Sequence, residues 1–215
     1  MKIHEPVKNY KHRLSPNGDV SQWFGKNPDM YAFLGLDGHN GIDIVRPWYT
    51  PLYAVEDGII AEVKNSPDGF GKHLRMITDT GHEWTYGHNA LNLVEIGQKV
   101  KAGEEIAKMG NTGFVVSSSD GAGFWAPGSN KWAGTHLHLG LREVEVSHRR
   151  KAGYWQYNVG TPYIKVKNYN NGYKGAVDFS HMLMAEDIPD TDRKVDIGVI
   201  IKLIQVLQRL GVLKN

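Results

Sequence analysis

The segment Thr135-His-Leu-His-Leu-Gly-Leu-Arg-Glu-Val-Glu-Val146 constrains this chain more than any other. Residues two apart on a strand share a face. Leu137, Leu139 and Leu141 therefore form one side, and His136 and His138 emerge together from the other. A period of two does not sit on a helix. The segment reads as a strand with a core on one face and two imidazoles on the opposite one.

Glycine sets the surroundings of that strand. There are 25 glycines in 215 residues, roughly 12% against an average of about 7%. Residues 52–55, 58–63, 74–77 and 83–86 read as successive strands. They are bounded by turn sequences such as Glu56-Asp-Gly58, Ser66-Pro-Asp-Gly69 and Asp79-Thr-Gly81. Short strands at this spacing favour an antiparallel sheet system over βαβ units. The expected fold is mostly β: a compact antiparallel sheet or barrel-sandwich-like core, plus a short C-terminal helix. Residues 97–106 read as a hairpin-like unit, and residues 114–134 as a long loop carrying Trp125 and Trp132. The apolar pattern of 195–210 predicts a helix capped at Gly211. The simplest organisation is one domain. It comprises a lead-in over 1–20, a core over 21–145, an irregular extension packed on the core over 146–190, and a helical tail over 191–215.

Two imidazoles on one strand face are candidate metal ligands, because neutral histidine is the commonest one near physiological pH. The segment Gly38-His-Asn-Gly-Ile-Asp-Ile-Val45 adds to them. Asp43 lies between Ile42 and Ile44, so it faces away from two apolar residues. A carboxylate beside a core needs a partner, and a metal ion would supply one. His39 stands four residues earlier. Two histidines and one carboxylate leave a fourth position open to water, the arrangement of catalytic zinc. The chain has no cysteine, which excludes disulfides and thiolate ligands. Strand geometry pairs His136 with His138 but does not choose which binds metal. His88, following Trp84-Thr-Tyr-Gly87, is a candidate proton carrier. His4, His12, His73, His82, His148 and His181 have no companion at informative spacing and read as surface or hydrogen-bonded structural residues.

At residues 21–142 the chain resembles the lysostaphin-type family of zinc metallopeptidases, which cleave peptidoglycan peptides. The colinear matches begin with Val20-Ser-Gln-Trp-Phe-Gly25 and His39-Asn-Gly-Ile-Asp43, then run through Pro51-Leu-Tyr-Ala-Val-Glu-Asp-Gly58 and Gly69-Phe-Gly71. Tyr86-Gly-His88, Gly97-Gln-Lys-Val-Lys-Ala-Gly103 and His136-Leu-His138 complete the series. The resemblance implies one Zn2+ held by His39, Asp43 and His138, with His88 and His136 assisting the attacking water. It also implies a groove across the sheet and bacterial peptidoglycan as partner. The segment between Gly113 and Thr135 is longer than is common in the family, and the resemblance says little beyond residue 145. An HExxH helix is absent, so the base must come from elsewhere.

A net charge of +2 and a pI near 8.6 suit an anionic wall polymer but are too small to argue for nucleic acid. No apolar run reaches the roughly 18 residues that span a bilayer. The first 20 residues hold no apolar signal-peptide core. That pattern fits a phage lysin, a virion-associated hydrolase, or a secreted protein whose signal is absent from this sequence. The alternative is a catalytically inactive peptidoglycan-binding or regulatory relative, of which several site residues are typically missing; here none is. A non-haem iron facial triad would also use two histidines and a carboxylate, but it leaves two further histidines idle. The 100–106 turn resembles those of lipoyl and biotin carriers, a reading that leaves the histidines unexplained.

Overall fold

Eleven strands are present in the computed structural model, which describes residues 3–115 and 132–183. In chain order they are β1 (Val20–Gln22), β2 (Ile42–Ile44), β3 (Pro51–Tyr53), β4 (Gly58–Ser66), β5 (Gly71–Ile77) and β6 (His82–Gly87), followed by β7 (Leu91–Asn92), β8 (Lys99–Val100), β9 (Glu105–Lys108), β10 (Leu137–Ser147) and β11 (Tyr163–Val166). Helix α1 (Pro28–Tyr31) leads into a 3-10 turn at Ala32–Leu34, and α2 covers Ser180–Leu183. The main sheet has the order β1-β2-β10-β6-β5-β4-β8, with β11 pairing the far end of β10. A second sheet has the order β3-β9-β7. Every named strand pair is antiparallel. The main sheet is open, so the barrel-like alternative does not hold.

Register turns the alternation of β10 into two chemically distinct sheet faces. Leu137 lies opposite Ile44, and Leu139 opposite Ile42 and Tyr86; Leu141 lies opposite Trp84, and Leu74 opposite Tyr86. Directly opposed residues share a face, and all of these side chains are buried. The second sheet adds Leu52, Ile106 and Ala107 to the same core, and Phe179 meets Trp84 edge to face at 5.0 Å. Each fully buried aliphatic or aromatic side chain contributes roughly 1.5–3 kcal/mol. Ile3 and Val7 also enter this core, tied down by His4 N–H donating to the Val55 carbonyl and Tyr53 N–H to the Pro6 carbonyl.

Two local expectations change. Residues 97–106 do contain a tight turn, with Glu104 N–H donating to the Lys101 carbonyl and Gly103 at φ +83°. Its arms do not pair as a hairpin: β8 joins β4 in the main sheet, whereas β9 lies between β3 and β7 in the second. The turn is a corner between sheets, where Val100 and Ile106 both reach one core. The 146–190 extension is not wholly irregular, because β10 projects beyond β6 and offers residues 144–147 to β11. The predicted helix at 195–210 and Trp125 lie outside the described residues.

Candidate metal centre

The second face of the main sheet carries the site. His138 lies opposite Asp43 on one side and Gly87 on the other, and β6 ends where His88 begins the next turn. His39 enters from the loop before β2, where Gly38 has φ +156° and its Cβ position is closed by the Gly25 backbone. Gly41 has a steric reason too. A Cβ there would lie 2.5 Å from the Leu139 carbonyl oxygen and 2.6 Å from His138 Cε1. The glycine between His39 and Asp43 thus lets this loop approach β10 closely enough for the three side chains to meet.

They meet at three atoms. His39 Nε2 is 2.9 Å from His138 Nδ1 and 3.1 Å from Asp43 Oδ1, and His138 Nδ1 is 3.2 Å from the same oxygen. All three residues are buried. With the carboxylate ionised and both imidazoles uncharged, hydrogen bonds alone do not satisfy this triangle. If both imidazoles donate to the carboxylate, two N–H groups collide; if one donates to the other, a lone pair faces the carboxylate. His39 Nδ1 is 3.3 Å from the Trp23 carbonyl, and an N–H donated there leaves Nε2 as a lone pair aimed inward. These residues offer a donor set that could hold a metal ion.

His88 and His136 stand beside the triangle, their ring centroids 4.6 Å apart. Each has its Nδ1 against a backbone carbonyl, of Thr112 at 2.8 Å for His88 and of Gly134 at 2.7 Å for His136. An N–H donated to those carbonyls turns both Nε2 lone pairs toward the cleft. His136 Nε2 is 3.7 Å from Asp43 Oδ1. His88 holds an unusual backbone, φ +63° for a non-glycine residue, with its N–H donated to the Phe70 carbonyl.

Burial opposes ionisation of Asp43, but the neighbouring His39 and His136 and hydrogen bonds from His138 and His39 outweigh it, holding the carboxyl well below its usual range. Burial, then His136 and His138, hold His88 well below the ordinary imidazole value. Burial lowers His138 to about 4, against the opposing hydrogen bond to Asp43. Asp43 is thus held ionised and His138 neutral, the protonation states that metal ligation requires.

The cleft above these atoms is lined by Met30, Tyr31, Leu34, Phe70 and Phe114. Tyr31 stacks on His39 at 5.3 Å, and Phe70 packs on His138 at 4.9 Å. Tyr31 carries no spacing signal in the sequence, and Phe70 enters there only within Gly69-Phe-Gly71, with no role assigned. Trp132 packs on Trp48 at 4.5 Å and also lines the cleft beside His136. Three of the histidines without companions have structural partners: His73 sits between Glu62 and the Gly71 carbonyl, His82 meets Glu56, and His12 meets Tyr10.

Residues 37–150, more than half of the chain, match the model of Peptidase family M23. The uncharacterized lipoprotein YgeR of Escherichia coli is 41% identical over 75 residues, covering 35% of this chain and 30% of that protein. Lysostaphin of Staphylococcus staphylolyticus is 33% identical over 112 residues, covering 49% and 23%. The peptidoglycan DD-endopeptidase ShyA of Vibrio cholerae is 36% identical over 78 residues, covering 36% and 18%. The chain thus spans less than a third of the length of these curated relatives. With the ligand-type triangle, its flanking imidazoles and the family match in agreement, the chain belongs to peptidase family M23.

Proposed function

We propose that this chain is a zinc-dependent endopeptidase that hydrolyses peptide bonds in bacterial peptidoglycan stem peptides or cross-bridges. The observation that carries the reading is the triangle of His39 Nε2, Asp43 Oδ1 and His138 Nδ1, with edges of 2.9, 3.1 and 3.2 Å. Tetrahedral ligands about 2.0–2.1 Å from zinc stand roughly 3.3 Å from one another, so one ion fits with shifts of a few tenths of an ångström. Family membership and the name of the Vibrio relative support peptidoglycan as substrate.

Zinc held there supplies Lewis acidity, which polarises a carbonyl and brings water toward a pKa of about 7. The protein's own groups do the rest. Asp43 contributes the negative charge that offsets the ion, and His39 is oriented by its contact with the Trp23 carbonyl. His88 and His136 form a proton-handling pair: each offers an Nε2 acceptor, and the proton taken from water makes its holder a donor to the developing oxyanion. The apolar rings of Tyr31, Phe70 and Phe114 lining the cleft lower the local dielectric, which strengthens these interactions.

The test is to digest purified cell walls and identify the released muropeptides by mass spectrometry. New amino termini within stem peptides or cross-bridges, abolished by a chelator and restored by zinc, are the expected result. Intact walls with a zinc-loaded protein would overturn the proposal. Among the described residues, no helix is long and apolar enough to cross a membrane.

A further inference from the structure

The face of the main sheet that carries His138 continues past it. Gly140 is opposite Thr85, Arg142 opposite Glu83, and Arg75 on β5 opposite Thr85, so these residues share the face of Asp43 and His138. Gly140 places no side chain between His138 and Arg142, and the gap it leaves opens into a second cleft. That cleft is lined by Arg75, Arg142 and Lys174 with Asn40, Thr85 and Tyr173, and it shares Phe70 and His138 with the proposed metal centre.

Its charges are one-sided. Glu83 is fully buried beneath the cleft, where it accepts from Arg75 Nη1 at 2.8 Å, Arg142 Nε at 2.8 Å and the Tyr157 hydroxyl at 3.0 Å. Glu62 accepts from Arg75 Nε at 3.0 Å. Neither carboxylate lines the cleft. Arg75 Nη2 and Arg142 Nη1 make no hydrogen bond among the described residues, and Lys174 Nζ donates only to the Leu34 carbonyl at 2.7 Å. Arg75 is held in place between the rings of Phe70 and Tyr157, at 5.7 and 5.5 Å. One terminal nitrogen of each guanidinium, on side chains only 16% exposed, and the Lys174 ammonium thus line the cleft above a floor of satisfied acids. The remaining terminal nitrogen of each guanidinium holds its N–H donors in a fixed direction, and two such nitrogens beside an ammonium suit a carboxylate.

We propose that Arg75, Arg142 and Lys174 form a carboxylate-binding subsite that selects a substrate peptide with a free carboxylate near the scissile bond. The proposal rests on the peptidase reading above. His138 and Arg142 are four residues apart on one strand, about 13 Å between Cα atoms, so the carboxylate recognised lies within roughly three or four extended residues of the bond cleaved.

The test uses two synthetic cross-linked stem peptides that differ only in carrying free carboxylates or carboxamides. An equimolar mixture is offered to the protein and each peptide's consumption is followed by mass spectrometry. Binding of each peptide to His136→Ala protein is measured by calorimetry. A preference of about tenfold or more for the free acid is expected in both, the scale of a hydrogen bond between charged partners. Lys174→Gln, at an exposed position, and Arg142→Lys, which keeps a charge beside Glu83, should each shrink it several-fold. Equal consumption and equal binding of the two peptides would overturn the subsite and leave the peptidase reading standing. A binding preference without cleavage of either peptide would keep the subsite and overturn the peptidase reading. A preference unchanged in both variants would overturn the assignment to these residues.

Discussion

His39 Nε2 and His138 Nδ1 lie 2.9 Å apart although 99 residues separate them in the chain. Asp43 Oδ1 closes on both, and with the carboxylate ionised and the imidazoles uncharged, every placement of their protons leaves two N–H groups or a lone pair opposed. A divalent cation at their centre removes the conflict, so binding it stabilises the folded state. Zinc at about 1,000 times its dissociation constant contributes roughly 4 kcal/mol. For a chain of this size that corresponds to a rise in Tm of roughly 8–16 °C. Thermal melts with zinc and with a chelator check this; coincident melts, with no zinc by elemental analysis, would count against the site.

Replacing His136 or His88 separates chemistry from metal binding. Neither belongs to the triangle, and each is tied to a backbone carbonyl rather than to a ligand residue. His136→Ala and His88→Ala should retain one zinc per chain and lose wall hydrolysis by about a hundredfold or more, the usual range for a positioned acid or base. His39→Ala should lose both. Full hydrolysis by either of the first two variants would refute the roles assigned.

These contrasts show what was legible in the sequence. The face of β10 was readable because Leu137, Leu139 and Leu141 alternate with His136 and His138. Its meeting with Asp43 was not readable from spacing, because the register of β2 against β10 is a long-range pairing; the family resemblance supplied that expectation. Arg142 could have been found, since the alternation carries it to the face of His138. Arg75 and the buried Glu83 could not, because nothing local marks a charge as buried. The 97–106 unit misled for the same reason: its turn is local, but the partners of its arms are distant strands.

Gly41 is predicted to be intolerant of even a methyl group. The added carbon would sit against both the Leu139 carbonyl and the His138 ring, backbone on one side and a proposed ligand on the other. Overpacking of this kind costs about 1–3 kcal/mol. Gly41→Ala should lower the unfolding free energy measured in urea by that amount and weaken zinc affinity at the same time. Gly97→Ala is the control, because nothing lies within 4 Å of the Cβ position there, although its φ of +85° carries a backbone cost. It should lose stability without loss of zinc affinity. Unchanged zinc affinity in Gly41→Ala would remove the link between this glycine and the metal centre.

Glu56 should make stability fall in acid independently of the metal. It is nearly buried and accepts from His82 Nδ1 at 2.6 Å, Thr80 Oγ1 at 3.2 Å and the Trp84 indole N–H. Burial alone would raise its pKa, but the hydrogen bonds from His82 and Trp84 and the nearby His82 outweigh it, and the folded value lies below the usual 4.5. A carboxyl whose pKa is depressed by folding stabilises the protein above its unfolded pKa, and that stability is lost as pH falls through the folded value. Glu56→Gln keeps an acceptor and removes the charge, so it should cost roughly 1–2 kcal/mol at pH 7. The gap between wild type and variant should narrow as pH falls from the ordinary glutamate value of 4.5 through the lower folded value, as the wild-type carboxyl takes up its proton. Urea unfolding at pH 7 and pH 3.5 measures both gaps in metal-free protein, and a gap that stays constant between them would mean that Glu56 acts by shape rather than by charge.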